Sequence, residues 1–180
     1  MLNAYRGLPN DRFAVAPEFW CYYPAKVLGV PMIEFERELP FWKSLKSVFE
    51  RYDCEGWGIF IPDYQNENLK KTVVLNGYEE TTSYDYCGKH FEVKKMFDQT
   101  EPSWLTKHLA TEKTLSDAID MLLDPKNIYD FHAAQKAHQA VGESYLLELW
   151  MGVPFFDFIA DLIGFENAIL YFVDEDESVL

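Results

Sequence analysis

Cysteine is scarce in this sequence and forms no recognisable framework. The chain has 3 cysteines, Cys21, Cys54 and Cys87, with no Cys-x-x-Cys pair, and a single Cys-x-x-His spacing at Cys87 and His90 has no second pair to complete a ligand set. An odd number of widely spaced cysteines argues against both a disulfide framework and a zinc finger. The sequence therefore predicts no metal site of its own.

Basic residues are also scarce. Lys and Arg number 16 against 30 Asp and Glu, which gives a net charge of −14, and no Lys/Arg-rich block interrupts this excess. The phosphate backbone of a nucleic acid and an anionic membrane surface would be repelled over most of such a protein. We expect neither as a partner.

Long apolar runs and several catalytic motifs are missing. No stretch approaches the ~20 apolar residues of a membrane helix, and the N-terminus lacks the pattern of a signal peptide. We therefore expect a cytoplasmic protein. The sequence contains no Gly-rich phosphate loop, nucleophile elbow or His-Glu-x-x-His motif, so it gives no support for the enzymes that depend on them.

Apolar and aromatic residues are plentiful. Hydrophobic residues make up 48% of the 180 residues and aromatic residues 17%, enough for a substantial core. Short aromatic runs such as Phe19-Trp20 and Phe41-Trp42 predict packing surfaces or an aromatic-lined pocket. We expect one domain over residues 1–180.

The segment Phe13 to Trp20 predicts the first strand of a barrel. Strand alternation would put one small and acidic set of side chains on one face and a bulky set on the other. The first set is Ala14, Ala16, Glu18 and Trp20, and the second is Phe13, Val15 and Phe19. The bulky face of a barrel strand is covered by helices. Glu18 and Trp20 would lie near the carboxyl end of this strand, which is where barrel enzymes place their sites.

A helix and a second strand follow. Apolar residues between Phe41 and Tyr52 recur with helical spacing after Pro40, which predicts an amphipathic helix over the bulky face of the first strand. Trp57 to Ile61 is short and apolar and ends at Pro62-Asp63. Strand, helix and strand then form a right-handed βαβ unit, which brings Asp63 to the same end of the sheet as Glu18.

Residues 69–98 predict an antiparallel meander inserted after the second barrel strand, as a flap or rim element. The turn signals are Asn76-Gly77 and Cys87-Gly88. Beyond it the pattern predicts helices over about 115–123 and 129–141, a strand over 145–151, and helical segments over 155–163 and 165–173. Glu148 interrupts the apolar strand, either as a functional group or in an internal ion pair.

Each candidate site residue has a second interpretation. Glu18 is a substrate-facing acid or a rim residue paired with a lysine, and Asp63 is a site residue or part of an ordinary Pro-Asp turn. Trp20 is a pocket wall or core, and core is the commoner role for tryptophan. The histidines share no ligand spacing and receive no role.

Three passages occur in an order that resembles a known superfamily. They are Val15-Ala16-Pro17-Glu18-Phe19-Trp20, Leu28-Gly29-Val30-Pro31-Met32-Ile33-Glu34-Phe35 and Gly152-Val153-Pro154-Phe155-Phe156. With the meander between the second and third, nearly the whole chain resembles the uroporphyrinogen decarboxylase superfamily, which includes the cobalamin-dependent methyltransferases. The resemblance implies a (β/α)8 barrel, which typically needs ~250 residues. The expected fold is thus α/β, a partial (β/α)8 TIM-type barrel with an inserted antiparallel β-meander.

The departures from the family separate its branches. The decarboxylases hold the carboxylates of their substrate with an arginine-rich motif after the first strand, whereas the matching positions 18–23 contain no arginine. Glu18 would repel such a substrate. Ala160 stands where the decarboxylases have a tyrosine. Asp63 matches their pyrrole-binding aspartate only with a shift of one or two residues.

The methyltransferase branch therefore fits better. Members of this branch resemble the chain in having an acidic and aromatic end to the first strand. They use a corrinoid protein as partner. Some activate a thiol acceptor on zinc, and others transfer a methyl group from a methoxylated or methylamine-type donor. The zinc ligands belong to the second half of the barrel, so zinc is implied only for a complete member. We expect Glu18, Trp20 and Asp63 to bind substrate.

The chain as written is expected to be incomplete. The C-terminal half of the barrel, or a second copy of the chain, would then be a partner, since a partial barrel leaves a free sheet edge. Two alternatives remain: a non-catalytic binding or self-associating module, and a uroporphyrinogen decarboxylase.

Overall fold

The computed structural model describes residues 2–13, 15–17, 19–60, 62–143, 145–149 and 155–174. The helices are α1 (Leu2–Tyr5), α2 (Tyr22–Leu28), α3 (Met32–Glu38), α4 (Phe41–Tyr52), α5 (Leu115–Leu122), α6 (His132–Val141), α7 (Phe155–Ile163) and α8 (Phe165–Asp174), with a 3-10 turn at Glu112–Thr114. The strands are β1 (Gly56–Phe60), β2 (Tyr64–Gln65), β3 (Leu69–Asn76), β4 (Glu79–Tyr86), β5 (Lys89–Met96), β6 (Trp104–Lys107), β7 (Ile128–Tyr129) and β8 (Tyr145–Leu149).

The protein combines helices and sheets, as the α/β prediction requires. The described strands pair as a parallel β1–β8 pair, a short β2–β7 pair and a four-stranded antiparallel sheet in the order β3-β4-β5-β6. A closed barrel is not present among these strands.

The chain divides into two compact units, each assembled from separate segments. Unit 1 comprises Met1–Asp63, Phe97–Ser103 and Tyr129–Met151, and unit 2 comprises Tyr64–Met96, Trp104–Ile128 and Gly152–Leu180. The segments of the two units alternate along the sequence, so neither unit is one continuous stretch. The expectation of a single domain stays a prediction.

Helix α4 forms the centre of unit 1, with the bounds that its apolar stripe predicts. Leu45, Val48 and Phe49 are fully buried on one face, while Lys43, Lys46 and Glu50 lie on the more exposed circumference. The helix ends at Asp53, whose backbone is left-handed with φ of 51°. Its buried face packs on β1, as the amphipathic pattern requires.

The prediction of a strand over Phe13 to Trp20 is wrong for the described residues, which have no strand pairing. A single backbone hydrogen bond, from Glu55 N–H to the Val15 oxygen at 3.1 Å, joins the segment to the residue before β1. Pro17 has no N–H to donate, so the ladder cannot continue through it. The covering helix is nevertheless correct, because the Phe19 ring packs on Phe49 of α4 with centroids 5.4 Å apart.

Strand β1 pairs in parallel with β8, so that Gly56 faces Tyr145 and Gly58 faces Leu147. Both glycines are needed for close packing. A Cβ at Gly58 would lie 3.2 Å from Trp42 Cβ, and one at Gly56 would lie 1.8 Å from the Tyr145 ring. Helix α6 packs on β8 and beside α4, so the two helices cover the pair.

A second cluster in unit 1 joins α2 and α3. The left-handed Gly29, with φ of 68°, ends α2, and its N–H donates to the oxygens of Ala25 and Lys26. Ala25, Met32 and Phe35 are buried together. Helix α3 has no counterpart among the predicted elements. The N–H groups of Met32 and Ile33 at its start donate to the oxygens of Gln99 and Asp98, at 2.9 and 3.0 Å.

Unit 2 contains the predicted meander, enlarged by β6. The turns lie at Gly77-Tyr78, one residue after the predicted Asn76-Gly77, and at Cys87-Gly88 as predicted. Gly77, Cys87 and Gly88 have positive φ, which tight hairpin turns favour. The sheet is not a free flap, because Phe91 of β5 is buried in one core with residues of α5, α7 and α8. The members of that core are Phe91, Ala110, Leu115, Ala118, Met121, Ile159, Leu162, Ile163 and Ala168.

The remaining boundaries agree closely with the sequence patterns. Helices α5, α7 and α8 lie where apolar periodicity predicts them. Helix α6 begins at His132 rather than Tyr129, because Tyr129 belongs to β7. Trp150 and Met151, the last residues of the strand predicted over 145–151, lie outside the described residues.

A hydrogen-bonded aspartate fixes the loop after α5 in unit 2. The Asp124 carboxylate accepts from the Tyr86 hydroxyl at 2.7 Å, from Asn66 Nδ2 at 2.9 Å and from Lys126 N–H at 2.9 Å. The Lys126 N–H, followed by Tyr86 and Asn66, lowers the pKa of Asp124. The hydrogen bond between the Tyr86 hydroxyl and Asp124 raises the pKa of Tyr86 to about 12 from its ordinary 10.

This shift predicts an alkaline loss of stability. The folded protein holds the Tyr86 proton more tightly than the unfolded chain does. The contribution of the Tyr86–Asp124 hydrogen bond to the free energy of unfolding is therefore fully present below pH 10 and is lost as the pH rises to about 12. Urea unfolding at a series of pH values would measure it, and Tyr86→Phe should lack this component. Parallel curves for the two proteins over this range would contradict the assignment.

Candidate functional site

The face of the β1–β8 pair opposite its helices carries an acid, Glu148. Leu147 lies on the helix side, since its side chain is 3.7 Å from the Cβ position of Gly58. Alternation along β8 therefore directs Glu148, the next residue, to the other face. In parallel α/β sheets the carboxyl ends of the strands carry the functional groups, and Glu148 is the penultimate residue of β8.

Glu148 is half-buried and accepts a hydrogen bond from Tyr5. The Tyr5 hydroxyl of α1 lies 2.9 Å from Glu148 Oε1, and this bond raises the pKa of Tyr5. The sequence left two interpretations of Glu148, a functional acid or a member of an internal ion pair. The partner that the structure shows is a neutral hydroxyl donor, Tyr5. The pair offers a ligand one anionic acceptor and a phenol beside it.

Trp20 is at the surface of unit 1 rather than in its core. Its side chain is 53% exposed, and its ring stacks on Phe41 with centroids 6.2 Å apart. Phe41 in turn packs on the buried cluster of α2 and α3. Trp20 therefore presents an indole that is supported on one side and accessible on the other, an arrangement suited to a pocket wall.

Asp63 follows β1, as predicted, and is exposed. Its backbone oxygen accepts the N–H of Asp130 at 2.9 Å. This bond connects the loop after β1 with the loop before α6, so the backbone at Asp63 is held in place. Glu18, the first of the three predicted site residues, lies outside the described residues.

The segment before Glu18 is anchored by Glu55. Its carboxylate accepts the N–H of Val15 at 2.9 Å and forms an ion pair with Arg12 at 2.9 Å. The Val15 N–H is the main cause of the lowered pKa of Glu55, with Arg12 adding to it. Arg12 is thus engaged at the amino-terminal side of β1, away from the carboxyl ends of the strands.

An aromatic groove lies beside α2 in unit 1. It has a volume of about 440 Å³ and is lined by Tyr22, Tyr23, Ala25, Lys26, Val30, Met32, Gln99 and Thr100. The Tyr22 hydroxyl donates to Glu101, which raises its pKa. Its two aromatic residues, Tyr22 and Tyr23, come from α2 and not from the segment ending at Trp20.

The side chains described above place acids, hydroxyls and aromatic rings on unit 1. Glu148, Asp63 and the tyrosine hydroxyls supply acceptors, and the aromatic rings supply apolar surface. Sequence reasoning missed Tyr5, because a four-residue helix has no periodic signal and its partner is 143 residues away. The Tyr22-Tyr23 pair was visible only as one aromatic run among several.

Among the described residues, no group of three or more His, Cys, Asp and Glu side chains is placed to hold a metal ion. Within the same residues no helix has the length and apolar character needed to cross a membrane.

Comparison of the chain with protein-family models, with curated proteins and with solved structures finds no match in any of the three.

Proposed function

We propose that this chain is the N-terminal part of a uroporphyrinogen decarboxylase-like barrel and belongs to the corrinoid-linked methyltransferase branch. The observation that supports it most is the parallel β1–β8 pair, with α4 and α6 on one face and Glu148 on the other. Parallel strands with helices on one face are the repeating unit of a (β/α)8 barrel. The meander lies between β1 and β8 in sequence, as an insertion would.

The segment around Val15 supplies a third neighbour in this arrangement. The Glu55–Val15 backbone bond places it beside the start of β1, and Phe19 packs on the helix face. Residues 15–17 therefore lie beside β1 without joining its sheet, and the parallel β1–β8 pair alone carries the comparison with a barrel.

The engagement of the arginines supports the methyltransferase branch over the decarboxylases. Arg12 pairs with Glu55, Arg37 lies over the Phe97 ring, and Arg51 donates to the Val27 oxygen. These three guanidinium groups already have partners outside the strand ends. A substrate with many carboxylates would meet Glu148 and Asp63, with Arg6, the residue after Tyr5, as the remaining arginine.

A reconstituted methyl-transfer assay tests the proposal. The chain is mixed with the C-terminal half of a methyltransferase of this superfamily, zinc, a thiol and a corrinoid protein carrying methylcobalamin, and loss of the Co–C absorbance is followed. We expect transfer only when both halves are present, and a fall of about tenfold for Glu148→Gln, the loss expected for a hydrogen bond to a charged group.

The matched control for that variant is Glu143→Gln, an exposed acid before β8, which should leave the rate unchanged. Equal rates for the two variants would remove Glu148 from the site. If the chain neither binds the corrinoid protein nor supports transfer, the methyltransferase assignment is wrong. Release of carbon dioxide from uroporphyrinogen by the same mixture would indicate that the chain belongs to the decarboxylases instead.

A self-associating module is the second candidate, favoured by the exposed apolar residues of the N-terminal segment. Phe13 is 94% exposed and Val15 58%, and surfaces of this kind commonly mark an interface. Analytical ultracentrifugation of the chain alone distinguishes the candidates, since a stable monomer at high concentration would exclude self-association.

A further inference from the structure

A second cleft, in unit 2, is formed where β6 separates from β5. The two strands pair from Met96–Trp104 to Lys94–Lys107, and the chain then leaves the sheet towards the 3-10 turn at Glu112–Thr114. This departure opens a space of about 500 Å³ beside His90, Phe91 and Glu92. Its size is within the range of sites for small molecules.

The floor of the cleft is apolar and its walls are polar. Buried Phe91, Ala110 and Ile163 belong to the core of unit 2. The walls carry hydrogen-bonding side chains of five types: the imidazoles of His90 and His108, the ammonium of Lys107, the hydroxyls of Thr111 and Thr114, the amide of Asn167 and the carboxylate of Glu92. The lining therefore combines donors and acceptors, with Lys107 as a permanently charged donor.

The backbone fixes the position of His108. Its Nδ1 lies 3.2 Å from the Asp161 oxygen, and because a carbonyl only accepts, Nδ1 carries the proton. Gly164 has φ of 92°, and a Cβ there would be 3.1 Å from Nε2 of the same ring. A glycine is thus required both by the backbone conformation and by the close approach of the imidazole.

Lys107 is held by an acid that a ligand could replace. Its Nζ lies 2.9 Å from Glu92 Oε1, and its side chain remains 53% exposed. Lys107 lowers the pKa of Glu92 through this hydrogen bond. His90 is paired similarly, with Nδ1 2.7 Å from Asp85 Oδ1. An incoming oxyanion would compete with Glu92 for Lys107 and with Asp85 for His90. His108 would donate to it as the imidazolium, since its Nδ1–H is given to the Asp161 oxygen.

We propose that this cleft binds the oxyanion of a small ligand, a phosphate or carboxylate group, with an apolar portion of the ligand on Phe91, Ala110 and Ile163. Three basic side chains converge on one cleft in a chain with a net charge of −14. The proposal does not depend on the barrel assignment, since all of the lining residues lie in unit 2.

Histidine resonances of the full chain test it by NMR, with inorganic phosphate and phenyl phosphate as probes. We expect the ring signals of His90 and His108 to shift saturably, and those of His132 and His138 in unit 1, as internal controls, to stay. Tighter binding of phenyl phosphate than of inorganic phosphate would indicate a ligand with an apolar body. Equal affinity would indicate a site for the free ion and would overturn the apolar part of the proposal.

Charge-matched variants provide the decisive comparison. Lys107→Ala should weaken phosphate binding by about tenfold, whereas Lys126→Ala, which removes the same charge from a surface pair with Glu67 of unit 2, should not. Glu92→Gln should tighten binding by freeing Lys107, and Glu67→Gln should have no effect. Absence of saturable shifts, or equal effects of the paired variants, would refute an oxyanion site.

Discussion

Replacing Phe49 by alanine is expected to lower the free energy of unfolding of unit 1 by about 3–5 kcal/mol. The side chain is fully buried, with 0% exposure. Its ring lies 5.4 Å from that of Phe19 and 6.3 Å from that of Tyr145. The deletion would therefore open a cavity between the N-terminal segment, α4 and β8, and none of these backbones can close it without losing other contacts.

The comparison for this variant is Phe13→Ala, which removes the same ring from an exposed position in the same unit. We expect a change within about 0.5 kcal/mol there. Urea unfolding monitored by tryptophan fluorescence would measure both. Similar losses for the two variants would mean that α4 does not pack on the strand pair as described.

Gly56→Ala should lower the free energy of unfolding by about 1–3 kcal/mol, because the added methyl group overpacks the β1–β8 pair. The added methyl would lie 1.8 Å from Cδ1 of Tyr145 and 2.9 Å from Cδ2 of Phe49. Neither ring can move freely, since both belong to the same aromatic contact. Loss of the parallel pair would also remove the main support for the barrel assignment.

A double-mutant cycle with Tyr145→Ala tests the register directly. Removing the Tyr145 ring leaves space for the methyl group added at position 56. The loss in free energy of unfolding caused by Gly56→Ala should therefore be clearly smaller in the Tyr145→Ala background than in the wild type. Coupling of this kind is expected only between residues in contact. Additive effects would show that Gly56 and Tyr145 do not face each other, which would exclude the register of β1 and β8.

Local patterns were sufficient for the longer amphipathic helices and for the hairpins of the meander. The apolar stripe from Phe41 to Tyr52, with Pro40 as its expected first position, predicts α4 to within one residue, because the buried face of an amphipathic helix gives a periodic pattern. The turn at Asn76-Gly77 predicts the β3–β4 hairpin in the same way. Both signals are carried by residues close together in sequence.

Features that depend on distant residues were not predictable. The alternation of Phe13 to Trp20 is that of a strand, yet Pro17 and the lack of a partner along its length leave it unpaired in the described residues. Strand pairing is a property of two segments, and a single pattern describes only one of them. The Tyr5–Glu148 contact is the clearest case at the candidate site, since neither residue carries a sign of the other.

The alternation of segments between the two units has a consequence for biosynthesis. The β3–β4–β5 hairpins are local and can form as soon as they leave the ribosome, but β1 must wait for β8, which is made after the whole of that sheet. During this interval the face of α4 that carries Phe49 lacks its Tyr145 neighbour. Exposed apolar surface on a nascent chain is a target for chaperones and a cause of aggregation. Slow decoding between the codons of β1 and β8 would prolong that vulnerable period.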